Sequence, residues 1–212
     1  MTLFLTLSEF LHCPFIFLDS DLTENSLPSE EYGGLEPFLD LARHLVELPD
    51  TELPSVVVMS YGTNEQLLPP SYAKQTCDLF GQLGVRGVSV IGASGDFGVG
   101  RSCQSNRGKK SPRFLPSFPS TCPYVTSVGA TQSNSPEQAA NFSGGGFSEY
   151  FTRPGWQAVA VDNFLDRHGD EWKGYYNRFG RGIPDVSALG TNIPIYNHDM
   201  IDNAVGTRYA PE

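Results

Sequence analysis

One carboxylate stands out by its setting. Asp96 lies in the run Gly92-Ala93-Ser94-Gly95-Asp96-Phe97-Gly98, just after the apolar residues Val88, Val90 and Ile91. β-Branched residues suit a buried strand, and small residues such as Ala93, Ser94 and Gly95 let another backbone come close. A carboxylate at such a strand mouth either holds something positive or, when protonated, donates to something negative. Two other stretches are suited to main-chain recognition. Ser60-Tyr61-Gly62 follows an apolar run, and Gly144-Gly145-Gly146 presents bare backbone. A strand end with free main-chain groups accepts an extended peptide as an added strand. Asp185, after Pro184, reads as a turn-fixing residue rather than a chemical one. His12, His44, His168 and His198 show no metal-ligand spacing, and Cys-x-x-Cys is absent, which excludes zinc ribbons and thioredoxin-like redox sites. The glycines around Asp96 imitate a dinucleotide loop. That motif needs a helix directly after it and an acidic residue about 20 positions on; Pro112-Arg113 stand there instead.

These residues need elements to hold them. Leu35, Phe38, Leu39, Leu41, Ala42, Leu45 and Val46 form a stripe that predicts a helix over 35–48, with Pro37 acceptable in its first turn. Tyr72, Ala73, Thr76, Leu79, Phe80 and Leu83 predict a second over 71–83, stopped by Gly84. A third is expected over 156–167. Strands are expected at 56–60, 88–91, 125–130 and 193–196. This alternation predicts an α/β fold with a parallel sheet flanked by helices. Ligands of such sheets sit at the carboxyl ends of strands, which selects Ser60-Tyr61-Gly62 and Ala93-Ser94-Gly95-Asp96.

The chain has 212 residues and a formal net charge of −10. That balance argues against nucleic acid or anionic membrane as partner, since both need basic patches. The basic cluster over 101–113 reads as a solvated loop. No stretch reaches the ~18 apolar residues of a membrane span. Residues 1–18 are apolar but interrupted by Glu9 and His12, so they make no convincing signal peptide. Cys103 and Cys122 bracket a Ser/Pro/Lys-rich loop that a disulfide would tie down in an oxidising compartment. Such a bridge contributes roughly 3 kcal/mol; two unpaired thiols are the alternative. Asn141-Phe142-Ser143 is a glycosylation sequon if the chain is exported.

A strand ending Ser-Tyr-Gly, a helix, then a strand ending Ala-Ser-Gly-Asp resembles the sedolisin, or serine-carboxyl peptidase, family, and within it the fungal tripeptidyl-peptidase type. The residues from Phe118 to Ala130, Ser143-Gly144-Gly145-Gly146-Phe147-Ser148, Arg153-Pro154-Gly155-Trp156-Gln157 and the stretch from Gly180 to Ala188 fit the same pattern. The resemblance implies a subtilisin-like sheet, truncated at both ends. It implies Asp96 as the oxyanion-hole donor, with Ser60, Tyr61, Gly62, Ser94, Gly95, Gly144, Gly145 and Gly146 lining a peptide site. An oxyanion needs donors where charge develops. An aspartate serves only with its proton on, hence in acid near its unperturbed pKa of about 4. The implied substrate is a peptide or protein and the implied location extracellular. A monomer is expected, without nucleic-acid or membrane partners.

The pattern also breaks. The family's nucleophile lies in Gly-Thr-Ser; here Gly206-Thr207 is followed by Arg208, and arginine cannot attack a carbonyl. No Glu/Asp pair four apart occurs within Met1 to Cys13. Glu36 and Asp40 have that spacing but match a different family helix. The family's calcium site is expected downstream, so no cofactor is expected within this chain. We therefore expect a divergent segment at 1–14, a partial catalytic domain at 15–199, and a divergent tail at 200–212 in the nucleophile's place. The expectation is an acid serine peptidase domain without turnover. A noncatalytic peptide-binding paralogue or a gene-model fragment is the alternative.

Overall fold

The β-branched runs form the centre of a parallel sheet. The computed structural model describes residues 15–18, 37–100, 102–106, 110–133, 135–197 and 200–210. The expectations on residues 1–14, Glu36, Arg101, Lys109 and His198 lie outside these. The main sheet runs β1 (Phe15–Leu18), β2 (Val56–Met59), β4 (Ser89–Ala93), β6 (Thr126–Gln132), β10 (Val186–Leu189), all parallel. The short strand β7 (Gln138–Ala139) adds antiparallel to the end of β6. Helix α1 (Phe38–Glu47) buries Phe38, Leu39, Ala42 and Leu45. Helix α2 (Pro70–Val85) buries Tyr72, Ala73, Thr76, Cys77, Phe80 and Leu83. Both stripes meet Val57, Met59 and Val90 in one core that also takes Phe118, Cys122 and Val125. Arg86 ties the two helix ends together, donating to the carbonyls of Val46 and Leu48 at 2.8 and 2.6 Å.

Two ribbons flank the sheet's carboxyl edge. Strand β3 (Thr63–Asn64) pairs antiparallel with β5 (Ser117–Phe118). Strand β8 (Gly146–Thr152) pairs with β9 (Gly180–Ile183). Helix α3 (Ala158–His168) sends Val161 and Leu165 into a second cluster with Tyr176, backed by Phe114 and Phe147. It therefore covers the β8–β9 ribbon, whereas α1 and α2 cover the sheet. A 3-10 turn, Gly155–Gln157, takes the place of its expected first turn. The cause is Gln157, which bridges Gly182: Nε2 donates to the Gly182 carbonyl at 2.6 Å and Oε1 accepts its N–H at 2.9 Å.

Two expectations are corrected, and a third is met outside the main sheet. Gly92 and Ala93, read as the start of a turn, continue β4 in register with Ser127 and Val128. Little room exists there for a side chain, since Val125 and Ser120 close on Gly92. The expected strand at 193–196 belongs to a separate hairpin, β11 (Ile193–Asn197) with β12 (Met200–Ala204). That hairpin crosses the expected boundary at 199/200, so the tail returns to the domain. The disulfide joins Cys77 to Cys122, with Cα atoms 5.5 Å apart, and not Cys103 to Cys122. Cys77 sits on the inner stripe of α2 facing buried Cys122, whereas the Cys103 thiol lies in the loop and donates to the Gly100 carbonyl.

Candidate peptide-binding cleft

The turn after β4 is held from three sides. The Ser94 N–H donates to the Val128 carbonyl at 2.9 Å, and the Ser120 hydroxyl donates to the Ala93 carbonyl at 2.7 Å. Gly95 has φ +110°, a left-handed conformation that glycine adopts without steric cost. Gly144 lies so close that an added methyl would overlap the Ser94 carbonyl oxygen. Its N–H donates to the Gly95 carbonyl at 2.6 Å, the Gly145 N–H to the Gly98 carbonyl at 3.1 Å, and the Gly98 N–H to the Phe142 carbonyl at 2.8 Å. The missing side chain of Gly144 is thus used by the turn itself. The sequence reading had assigned that space to an incoming peptide. Ser94 is a second correction: the residue is buried, its N–H is bonded to Val128 and its carbonyl lies against Gly144, so it lines the turn rather than a ligand site.

The tail completes the site. The Thr207 N–H and hydroxyl both donate to Asp96 Oδ1, at 2.6 and 2.8 Å. The Gly95 N–H donates to Thr207 Oγ1 at 3.2 Å. Asp96 Oδ2 lies 3.6 Å from the Arg208 guanidinium. The Ser60 hydroxyl donates to the Arg208 carbonyl at 3.4 Å, linking the two strand ends through the tail. Tyr61 is exposed, with its ring stacked 6.5 Å from Phe38, and Gly62 backs onto the Phe118 carbonyl. Asp96, Ser60, Gly95 and Gly144 are therefore brought together, with Thr207 as a partner the sequence reading missed. Gly145 and Gly146 turn toward Ile183 and Pro116, where β8 begins. Thr207 orients Asp96 by fixing Oδ1. Oδ2 faces the Arg208 guanidinium.

Asp185 is structural. It accepts the Ser127 N–H at 2.8 Å and pairs with Arg181 at 2.5 Å. Arg181 is fully buried and also donates to the carbonyls of Val125 and Gly182. Burial pulls its pKa down from the ordinary arginine value, and Asp185 opposes that. Asn141 is exposed, as a sequon requires. Among the described residues, no three His, Cys, Asp or Glu side chains gather as a metal site. No helix among them is long and apolar enough to cross a membrane.

The chain is 54% identical over 180 residues to the probable tripeptidyl-peptidase SED3 of Arthroderma benhamiae, and 50% identical over 180 residues to tripeptidyl-peptidase SED3 of Arthroderma otae. Each match covers 85% of this chain and 30% of the relative. Pseudomonas sedolisin, a serine-carboxyl proteinase solved with two molecules of pseudo-iodotyrostatin, superposes with a TM-score of 0.58 at 23% identity, over 81% of this chain and 48% of that one. The chain is a homologue of the fungal tripeptidyl-peptidases. Its fold is the subtilisin-like fold of sedolisin, and it spans about 30% of the length of the curated relatives it matches. No protein-family profile matches it.

Proposed function

We propose that this chain carries the peptide-binding cleft of a serine-carboxyl peptidase domain of the tripeptidyl- or endopeptidase class. In this reading an extended peptide lies between Ser60-Tyr61-Gly62 and the turn joined to Gly144. Protonated Asp96 donates to the carbonyl oxygen that would carry the oxyanion during acyl transfer. The observation that carries the reading is the double hydrogen bond from Thr207 to Asp96 Oδ1. It holds the carboxyl in one orientation, and a fixed orientation is what preorganised oxyanion stabilisation requires. In this reading Arg208 stands where the family carries its nucleophile, and the chain binds a peptide without cleaving it. The proposed partner is a peptide or protein substrate met outside the cell.

The test has two arms at about pH 4. The expected outcome is calorimetric binding of an unblocked tripeptide amide without release of the reporter from a fluorogenic tripeptide substrate. Turnover by the purified chain would overthrow the noncatalytic reading. A folded chain that binds no extended peptide would remove the cleft assignment.

A further inference from the structure

Glu65 plays no part in the chemistry above, yet it is only 1% exposed. It opens the 3-10 turn Glu65–Leu67, three residues beyond Gly62. Its Oε1 accepts the Ser148 hydroxyl at 2.5 Å and its Oε2 accepts the Glu149 N–H at 2.7 Å. Its own N–H donates to the Pro116 carbonyl at 2.9 Å. Ser148 is itself buried and accepts the N–H groups of Tyr150 and Phe151 at 3.1 and 2.9 Å. Pro116 leads into β5, where the Ser117 side chain lies beneath Gly95. One carboxyl group therefore touches the continuation of both cleft walls. Through the main chain it also reaches the floor under the Asp96 turn.

We propose that Glu65 is a positioning residue, a buried carboxyl pin that sets the spacing of the two cleft walls in acid and loosens it when ionised. Its meaning for peptide binding rests on the cleft assignment above; the pin itself does not. The groups facing it give the balance. Burial acts first and raises its pKa above the ordinary carboxylate value, while the Ser148 hydroxyl, the Glu149 N–H and the Thr121 hydroxyl favour the ionised form. The Glu149 carboxylate adds repulsion, tempered by its own ion pair with Arg113. Among the described residues no cation pairs with Glu65. Ionisation thus puts an unpaired charge at the junction of β8 with the 3-10 turn. The cheapest relief is for that junction to open to water.

Hydrogen exchange of the full chain at pH 4 and pH 7 reads this directly, each rate being divided by the unstructured rate at that pH. In the wild type, segments 60–68 and 144–152 should exchange about tenfold faster at pH 7 in these relative terms, with α2 unchanged. Glu65→Gln, which keeps an acceptor and removes the charge, should show slow exchange at both pH values. Equal wild-type protection at both pH values would overturn the pin, as would a rise spread evenly through α2, or a Glu65→Gln chain that keeps the rise. The wild-type comparison decides by itself if Glu65→Gln fails to fold. A chain with this local pH response that binds no peptide would sink the cleft assignment and leave the pin standing.

Discussion

A methyl group at Gly144 has nowhere to go, because the Ser94 carbonyl occupies the space. Gly144→Ala must push the 142–146 segment off the Asp96 turn. The expected cost is about 1–3 kcal/mol, the usual penalty for overpacking, with peptide affinity lost alongside. A denaturant midpoint equal to wild type would show that the wall is not seated as described. Asp96 was legible because an apolar strand, small residues and one acid are a local pattern. Thr207, Glu65 and Arg181 were not. Each has a partner more than 50 residues away in sequence, respectively Asp96, Ser148 and Val125, that no local pattern announces. Asp185 was read as turn-fixing, and its bonds to Ser127 and Arg181 agree. The Gly144 space was misread because a glycine that admits a ligand and one that admits its own chain look alike in sequence.

Helix α2 and the segment leading into β6 are joined covalently as well as by packing. The Cys77–Cys122 bridge spans 45 residues, a separation for which loop closure is worth about 4 kcal/mol. Replacing both cysteines with alanine should lower unfolding stability by about 2–4 kcal/mol, whereas Cys103→Ser should change it little. Equal melts for wild type and the double variant would remove the bridge from the account. The helices were legible because their stripes are long: both α1 and α2 lie within two or three residues of the predicted bounds. Strand ends were less so, since Gly92 and Ala93 look like a turn and act as strand. Cys77 could have been placed, because it falls four residues after Ala73 and three before Phe80 on the buried stripe. Of the β11–β12 hairpin the first strand was legible and the second was not, because its pairing is antiparallel and local while the surrounding pattern announces parallel strands.

Stability across pH should carry the signature of Glu65. Its folded pKa is raised, so its contribution is fully present below the unfolded value of about 4.3 and is lost as pH rises through the folded one. Within that window the loss is about 1.4 kcal/mol per pH unit for this one group. Chemical denaturation should find the wild type more stable at pH 4 than at pH 7, with Glu65→Gln narrowing the gap. A gap of equal size in the variant would assign the effect to other acids of this chain, whose net charge is −10. The seam between the Asp96 turn and the Gly144 wall has a different kind of consequence. Its three bonds, Gly144 to Gly95, Gly145 to Gly98 and Gly98 to Phe142, use main-chain atoms alone. Every residue type except proline supplies those atoms, so drift at Phe97 or Phe142 leaves the seam closed. A change of length between 95 and 98, or between 142 and 145, shifts every bond at once. Such a site tolerates the exchange of its reactive side chain and is intolerant of a gap. A lineage whose reactive side chain is exchanged therefore still inherits the seam.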